Sequence, residues 1–369
     1  MKMMTAARVH EFGKPLVIEQ IERPSPRPMD VVVKVEACNL VPNLDNVLNR
    51  WAEWFPHLPM PRLPAAFGLD VAGVVDEVGE LVINIKPGDR VYVNPLRSCG
   101  SCHMCRIGES QHCVNGVFQG YFGFIPGATR LFDAYPNGGM AEYLAAPASS
   151  LVKLADSTTV EQASRFGYIG TAYSALKKAQ TGSGKSVIVT GATGTLGVPA
   201  VMLALAMGAT RVFAIARDKE LLERVRALDP MRVRTLSHGD EPVADWVCRN
   251  NDGRGADIYI EALPTGAPAS ITLEALKALR PAGVGVTVGG VVDPMCLDTA
   301  WFMTSGLTWR GSLWFSTAEG EELAAMAGAG TLGLHHFDQQ RFSLTEANQA
   351  LASLVQRQSG GFTNVVVMP

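Results

Sequence analysis

The sequence of 369 residues has no excess of charge of either sign. Lys and Arg number 32 against 35 Asp and Glu, so the net charge is −3, and no basic run occurs. A basic patch or stripe is the usual electrostatic footprint of proteins that bind nucleic acids or anionic membranes. We therefore expect neither nucleic acid nor a membrane among the partners.

The N-terminal stretch also lacks a continuous apolar core, because charged and polar residues interrupt it from His10 onward. A secretory signal peptide needs about 7–15 apolar residues in a row. The uncharged run after Lys185 is long enough to cross a membrane, but Gly191, Gly194 and Gly197 divide it. We interpret that run as a buried strand and helix and expect a cytoplasmic protein.

A disulfide framework is not indicated, because the seven cysteines are an odd number and four of them are clustered. Four thiolates at this spacing close a tetrahedral shell around Zn²⁺ and leave no open position, which predicts a structural site. The ligands of an iron–sulfur cluster also begin with three cysteines that are two residues apart, but the fourth cysteine usually follows about three residues later and precedes a proline. The predicted zinc ligands are Cys99, Cys102, Cys105 and Cys113, and we expect Cys38, Cys248 and Cys296 to be reduced thiols, as in the cytoplasm.

Disorder is not indicated either, since 47% of the residues are hydrophobic and 18% are charged. The chain is long enough for two domains. Short segments rich in β-branched residues and broken by Pro and Gly fill the first part, which suggests a partly open β-barrel. Strands and helices then alternate, which indicates an α/β fold with a parallel sheet. Among the predicted elements are strands at 31–35, 71–78, 257–260, 284–288 and 364–367 and helices at 271–279, 319–329 and 345–358.

The most informative stretch runs from Ser186 to Arg217. Four β-formers lead into a glycine-rich turn, an apolar helix follows with 3.6-residue periodicity, and a second apolar strand ends at Ala216. This βαβ pattern is typical of dinucleotide binding, because the glycines allow a tight turn and the helix N-terminus presents free N–H groups to a pyrophosphate. The predicted cofactor-binding turn consists of Gly191, Ala192, Thr193, Gly194, Thr195, Leu196 and Gly197.

The end of the second strand indicates which cofactor is bound. A site selective for NAD carries Asp or Glu there to bind the ribose 2′-hydroxyl group, whereas this chain has Ala216 followed by Arg217. A small residue beside a cation suits a 2′-phosphate, so we favour NADP(H). The alternative is that Arg217 pairs with a surface carboxylate, as many exposed arginines do.

Two groups of aromatic residues have no clear assignment. The Gly/Phe/Tyr-rich segment 114–137 has no regular period, and its aromatic side chains either line a substrate cleft, cover a subunit contact or form a local cluster. Trp51, Trp54 and Phe55 form either a bulky apolar wall or plain core.

Taken together, the motifs resemble those of the medium-chain dehydrogenase/reductase superfamily, which includes the zinc alcohol dehydrogenases and quinone oxidoreductases. The resemblance runs nearly end to end through KVEAC at 34–38, the cysteine cluster, GGMAEY at 138–143, TAYSAL at 171–176 and GATGTLG at 191–197. It implies a GroES-like catalytic domain at 1–160 with a zinc lobe at about 95–115. It further implies a Rossmann domain at 161–310, a return to the catalytic domain at 311–369, and Thr171 as a cofactor contact.

The chain departs from the zinc alcohol dehydrogenases of this superfamily at the catalytic zinc. Val41 stands where the resemblance implies the first ligand, Gly68-Leu69-Asp70 stands in place of Gly-His-Glu, and Gly167 stands at the third ligand position. An open catalytic zinc needs about three protein ligands, so Asp70 alone cannot hold one. We expect no catalytic zinc. An unorthodox site built from His57, Asp45 and Asp70 is the alternative.

Without that metal, an unactivated alcohol is a poor substrate, because zinc polarises the carbonyl during hydride transfer. The sequence thus predicts an NADPH-dependent reductase of electrophilic acceptors such as enones, quinones or iminium ions, with a small apolar or aromatic substrate. Tyr168, Asp45 and Asp70 are the candidate acid–base residues. The alternatives are an alcohol or aldehyde dehydrogenase that uses acid–base residues or an unusual metal site, and an inactive nucleotide-binding protein.

The resemblance also implies a homodimer or homotetramer, formed through the edge of the Rossmann sheet. Here that edge is the apolar strand at 307–310, which would otherwise be prone to aggregation.

Overall fold

The computed structural model describes residues 2–126, 128–355 and 359–369. Within these ranges the N-terminal part is built from antiparallel strands and short helices, as the β-branched segments predict. The strands are β1 (Met3–Val9), β2 (Val17–Glu22), β3 (Asp30–Asn39), β4 (Ala65–Ala66), β5 (Asp70–Val78), β6 (Arg90–Val93), β7 (Leu96–Arg97), β8 (Val117–Phe118), β9 (Tyr143–Pro147) and β10 (Leu151–Lys153). The helices are α1 (Asn43–Asn49), α2 (Trp51–Trp54), α3 (His103–Arg106) and α4 (Arg130–Ala134).

The central part alternates helices and strands. Its elements are α5 (Val160–Ala163), α6 (Phe166–Lys178), β11 (Ser186–Thr190), α7 (Gly197–Ala206), β12 (Arg211–Ala216), α8 (Lys219–Arg226), β13 (Val233–Ser237), α9 (Val243–Arg249), β14 (Ala256–Glu261), α10 (Ala269–Lys277), β15 (Leu279–Thr287), α11 (Thr299–Thr304) and β16 (Thr308–Gly311). All strand pairs from β11 to β16 are parallel, in the order β13-β12-β11-β14-β15-β16. This is the doubly wound Rossmann sheet that the sequence predicts, and β16 lies at its edge.

The C-terminal part returns to the N-terminal sheet. It contains α12 (Thr317–Gly328), β17 (Asp338–Ser343), α13 (Ala347–Ser353) and β18 (Thr363–Met368). Strand β18 pairs antiparallel with β3 and parallel with β17 in the sheet order β10-β6-β5-β3-β18-β17, where β9 also pairs with β3. The GroES-like barrel plus Rossmann architecture is therefore confirmed.

Several predicted element bounds need correction. Strand β15 ends at Thr287 and helix α12 ends at Gly328, each one residue before its predicted end. The crossover helix α10 ends at Lys277, and Leu279, predicted as its last residue, begins β15. Helix α13 ends at Ser353, and its predicted end at Gln358 lies outside the described residues. Helix α10 ends early because the chain must turn at Ala278 to enter the sheet beside β14.

The two domains share one hydrophobic core. Buried side chains of β3 and β5 belong to the same cluster as those of β11 and of helices α6 and α7. Residues that follow the carboxyl ends of β14 and β15 face residues of the barrel part across a cleft. No helix in the described part of the chain has both the length and the apolar composition needed to span a bilayer.

Candidate functional site

Four cysteine side chains converge in the loop between β7 and β8. The sulfur atoms of Cys99, Cys102, Cys105 and Cys113 all lie within 4.8 Å of one another. Cys102 Sγ is 3.5 Å from Cys105 Sγ and 3.9 Å from Cys113 Sγ. Tetrahedral zinc with Zn–S bonds of about 2.3 Å requires sulfur separations of roughly 3.8 Å, so the cluster fits this ion.

Backbone N–H groups around the cluster favour thiolate ligands. Hydrogen bonds from the backbone, chiefly that of Ser101, lower the pKa of Cys99 to about 5. The N–H of Cys102 donates to Cys99 Sγ at 3.4 Å, and the N–H groups of Cys99 and Asn115 donate to Cys113 Sγ at 3.2 and 3.4 Å. Such outer hydrogen bonds orient the ligands and stabilise their negative charge.

The glycine-rich turn joins β11 to α7, as the sequence predicts. Gly191 has φ of +68°, which a side chain would oppose, and a Cβ at Gly197 would overlap the carbonyl of Gly191. Strand β11 is fully buried and ends one residue before this turn, while α7 starts at Gly197. The N-terminus of α7 thus follows the glycine-rich turn directly, which is the arrangement expected of a pyrophosphate-binding βαβ unit.

A contact with the C-terminal segment was not evident from the sequence. The N–H of Gly361 donates to the Thr193 carbonyl at 2.7 Å. Buried Arg165, in turn, donates to the carbonyls of Gly361 at 2.6 Å and of Thr195 at 3.4 Å. A Cβ at Gly361 would overlap the carbonyl of Gly194. The turn thus has two carbonyl groups that accept hydrogen bonds: that of Thr193 accepts from Gly361, and that of Thr195 accepts from Arg165.

Arg217 occupies the position that the sequence predicts, directly after the buried end of β12 at Ala216. Its side chain is exposed, and within the described ranges no ion pair involves it. The hydroxyl of Ser237, at the end of β13, donates to the Arg217 carbonyl at 3.1 Å. Arg217 is therefore available to a phosphate at this edge of the sheet.

A cleft of about 290 Å³ separates the barrel from the Rossmann sheet. Its barrel side presents aromatic rings, and its other side consists of residues that follow the carboxyl ends of β14 and β15, where α/β sheets bind their ligands. The lining residues are Asn43, Trp51, Trp54, Phe55, Thr265, Gly289, Gly290, Val291 and Val292.

The aromatic segment 114–137 packs behind this wall. The ring of Phe122 stacks on Trp51 at 4.1 Å between centroids, and Phe118 contacts Trp314 at 4.5 Å. Phe118, Tyr121 and Phe122 are themselves buried. Part of this aromatic segment thus forms a second layer that supports Trp51 at the cleft.

The position of the catalytic zinc in related enzymes is filled by residues that do not bind metal. Val41 and Leu69 are buried and apolar. A Cβ at Gly167 would overlap both carboxylate oxygens of Asp70, so the Asp70 side chain occupies the space of a third ligand. In the part of the chain that the structure describes, the four cysteines are the group able to hold a metal ion, and neither Asp45, His57 nor Asp70 belongs to such a group. The residues present therefore do not fit a catalytic zinc.

Asp70 is fully buried at the start of β5. Tyr92 Oη donates to Asp70 Oδ1 at 2.8 Å, and the backbone of Gly167 also hydrogen-bonds the carboxylate. Burial raises the pKa of Asp70 to about 7, although Tyr92, Arg165 and Gly167 oppose this rise. Asp70 thus titrates near neutral pH but has no direct access to the cleft.

The other candidates are separated. Tyr168 follows Gly167 in α6 and is half-buried. Thr171 lies one turn later, where its hydroxyl donates to the Gly167 carbonyl at 2.7 Å. Asp45 lies in α1, and its carboxylate accepts a hydrogen bond from Asn49 at 2.8 Å. Gly167 therefore precedes Tyr168 in the chain and lies against the carboxylate of Asp70. Asp45 instead interacts with Asn49.

Sequence reasoning missed two polar residues of this region, Tyr92 and Arg165, and included a third, Tyr121, only among the aromatic residues of segment 114–137. Tyr92, Tyr121 and Arg165 are all buried, and each interacts with or lies near Asp70. The local sequence does not indicate their place near Asp70, because the residues that they contact there are distant in the chain. The position of Arg165 directly before the apolar start of α6 was the one sequence signal that could have identified it.

Comparison with known proteins agrees with this architecture. Residues 27–156 match the alcohol dehydrogenase GroES-like domain, and residues 195–328 match the zinc-binding dehydrogenase domain. An L-threonine 3-dehydrogenase of Pyrococcus horikoshii is 32% identical over 278 residues, which are 74% of this chain and 71% of that protein. An NAD-dependent alcohol dehydrogenase of Saccharolobus solfataricus is 29% identical over 95% of this chain and 96% of its own length.

A structural relative has the same fold over the whole chain. The cobalt- and zinc-bound thermostable alcohol dehydrogenase from Pyrobaculum aerophilum superposes with a TM-score of 0.78 and 25% identity, and each chain is covered completely. Together with the domain matches, these likenesses establish the family. The chain belongs to the zinc alcohol dehydrogenase-like branch of the medium-chain dehydrogenase/reductase superfamily and is an NAD(P)-dependent oxidoreductase.

Proposed function

We propose that the protein is an NADPH-dependent reductase of electrophilic acceptors that works without a catalytic metal. The observation that carries the proposal is the contact between Asp70 and Gly167, together with the apolar residues Val41 and Leu69. A carbonyl that lacks a Lewis acid is reduced slowly, whereas a conjugated enone or enal, a quinone or an iminium ion already accepts hydride.

The chain's own residues bind and orient the two reactants. The turn from Gly191 to Gly197 holds the pyrophosphate, and Arg217 pairs with the 2′-phosphate. The aromatic rings of Trp51 and Phe55 bind a flat apolar substrate in the cleft. Bound NADPH supplies the hydride.

The reaction with an enone balances as a two-electron reduction. The β-carbon gains hydride, the α-carbon gains a proton, the C=C bond becomes a single bond, and NADPH becomes NADP⁺. The Tyr168 hydroxyl serves as a hydrogen-bond donor to the enolate oxygen or as a proton donor.

A second candidate is alcohol or aldehyde oxidoreduction with acid–base residues. Two observations favour it: the relatives include enzymes named alcohol dehydrogenases, and the pKa of Asp70 is about 7. Because Asp70 is fully buried, it would act on such a substrate only through Tyr92 or Gly167. We place this candidate second.

We further propose a homodimer or homotetramer that forms through β16. This strand pairs with β15 on one side and lies at the sheet edge on the other. An unpaired strand edge is a template for pairing with another chain. Light scattering of the purified protein would report the number of subunits.

An acceptor panel tests the proposed reaction. NADPH oxidation is followed with enones, enals, quinones and imines, and with unactivated ketones and simple aldehydes as the comparison set. The proposal expects turnover with the first set at least tenfold faster than with the second. Preferential turnover of simple aldehydes or alcohols would support the second candidate. Saturable NADPH binding with no turnover of any acceptor would instead indicate a nucleotide-binding protein.

A further inference from the structure

We infer that Tyr121 is a second phenolic donor to the substrate and that, with Tyr168, it binds the oxygen on which negative charge develops. The inference rests on the proposed function and deepens it. It selects acceptors that become oxyanions, namely enones, enals and quinones, over iminium ions, which become neutral amines and need no such donor.

The backbone places Tyr121 beside the vacated metal position. The N–H of Gly68 donates to the Gly120 carbonyl at 3.1 Å, which holds the residue before Tyr121 against the Gly68–Asp70 segment. Asp70 in turn lies against Gly167, the residue before Tyr168. Three segments that are distant in sequence therefore meet at this point, and two of them carry a tyrosine.

The Tyr121 side chain packs behind the aromatic wall of the cleft. Its ring packs on Phe122 at 4.7 Å between centroids, and Phe122 stacks on Trp51, which lines the cleft. The side chain of Asn43, another lining residue, lies beside the Tyr121 hydroxyl. A substrate oxygen that takes the place of the Asn43 side chain would be close to this hydroxyl.

The hydroxyl itself is buried and lacks a well-formed hydrogen bond within the described residues, although the Asn43 side chain lies beside it. Tyr121 is 4% exposed, and within the described residues its Oη makes no hydrogen bond of ordinary geometry. Burial, and then the neighbouring Tyr168, raise the pKa of Tyr121 well above its usual value, so the hydroxyl keeps its proton. A buried donor without a partner is unfavourable, and a substrate oxygen would satisfy it.

Two neutral donors that converge on one oxygen stabilise an enolate more than its parent enone, because hydrogen bonds strengthen as the charge develops. This arrangement replaces part of what a zinc ion does in the related enzymes. Asp70 does not touch the substrate, and it contributes only to the position of Gly167 and Tyr168.

A phenolate dye tests the inference without any turnover. 4-Nitrophenol resembles the enolate, its flat ring suits the wall of Trp51 and Phe55, and its ionisation is read from visible absorbance. We would titrate the dye bound to the NADP⁺ complex of the wild type, of Tyr121→Phe and of Tyr168→Phe. Tyr135→Phe is the matched control, since Tyr135 donates to Asp30 away from the cleft.

The inference expects a lowered pKa for the bound dye in the wild type and in Tyr135→Phe. In Tyr121→Phe the phenolate should bind about tenfold less tightly, while the neutral phenol binds as before. An unchanged dye titration in Tyr121→Phe would overturn the inference, as would a wild-type complex that does not bind the phenolate.

Stability provides the second readout. Because the Tyr121 hydroxyl makes no hydrogen bond of ordinary geometry within the described residues, its removal should leave Tm unchanged or slightly higher. A clear loss of Tm or a failure to fold would show that the hydroxyl is bonded within the protein and would overturn the inference. If the acceptor panel finds no turnover while the dye shift depends on Tyr121, the proposed reaction fails and the donor site stands.

Discussion

The carboxylate of Asp70 lies directly against the Cα atom of Gly167, so that no side chain fits at position 167. In the related zinc enzymes the resemblance places a metal ligand there, and the neighbouring ligand positions hold Val41 and Leu69 in this chain. One contact therefore both occupies the metal position and fixes the start of α6, which carries Tyr168.

Gly167→Ala should destabilise the protein. In an exposed helix this change would be favourable by about 1 kcal/mol, but here the new Cβ overlaps the Asp70 oxygens and overpacking costs roughly 1–3 kcal/mol. Urea unfolding measures the difference. Gly182→Ala is the control, because its Cβ would meet open space. Equal stabilities of the two variants would contradict the contact.

The contribution of Asp70 to the stability of the wild type should fall as the pH rises from about 4 to 7. Burial raises the pKa of Asp70 from 3.8 to about 7, so the folded state binds this proton more tightly than the unfolded chain does. Asp70→Asn removes the titration, and its free energy of unfolding should decline less over this range, by up to about 1.4 kcal/mol for each unit of pKa shift. Exposed Asp156→Asn should follow the wild type. Parallel profiles for wild type and Asp70→Asn would refute the assignment.

Arg217→Ala should weaken NADPH binding selectively. Loss of a charge-assisted hydrogen bond to the 2′-phosphate should raise the Kd for NADPH about tenfold and leave that for NADH nearly unchanged. Fluorescence titration with both nucleotides measures this ratio. Arg226→Ala is the control, since Arg226 pairs with Glu223 on α8. An equal loss of affinity for NADPH and NADH would mean that Arg217 does not interact with the 2′-phosphate.

Gly361→Ala should weaken both nucleotides together. The added methyl group would overlap the Gly194 carbonyl and displace the turn that binds the pyrophosphate. We expect at least a tenfold rise in Kd for NADPH and for NADH, measured by the same titration. Gly182→Ala should bind both as the wild type does, and unaltered affinity in Gly361→Ala would show that this contact does not position the turn.

The local parts of the structure were predictable because their signals lie close together in sequence. Strand β12 spans Arg211–Ala216, as predicted, since the apolar residues from Val212 to Ala216 lie between Gly208 and the charged Arg217. The cysteine cluster was likewise predictable from spacing alone. In both cases neighbouring residues determine the geometry.

The site between the domains was only partly predictable, because it is assembled from distant segments. Asp70 and Gly167 were singled out as changed positions, but their contact depends on how α6 packs on the barrel. Tyr121 lies in a segment without periodicity, and Arg165 reaches Gly361 across nearly 200 residues. Asp45 has suitable chemistry by residue type, yet the helical turn directs it to Asn49, and its catalytic role remains a prediction.

The zinc content of the purified protein tests the central claim most directly. Elemental analysis should find one zinc per chain in the wild type, and close to none in Cys102→Ser, whereas Cys296→Ser, which changes an exposed cysteine outside the cluster, should keep its zinc. That result would place the metal in the cysteine cluster, so that hydride transfer from NADPH relies on hydrogen-bond donors of the chain and not on a second metal ion. Two zinc ions per wild-type chain, with one retained in Cys102→Ser, would contradict the account and return a metal to the position beside Asp70.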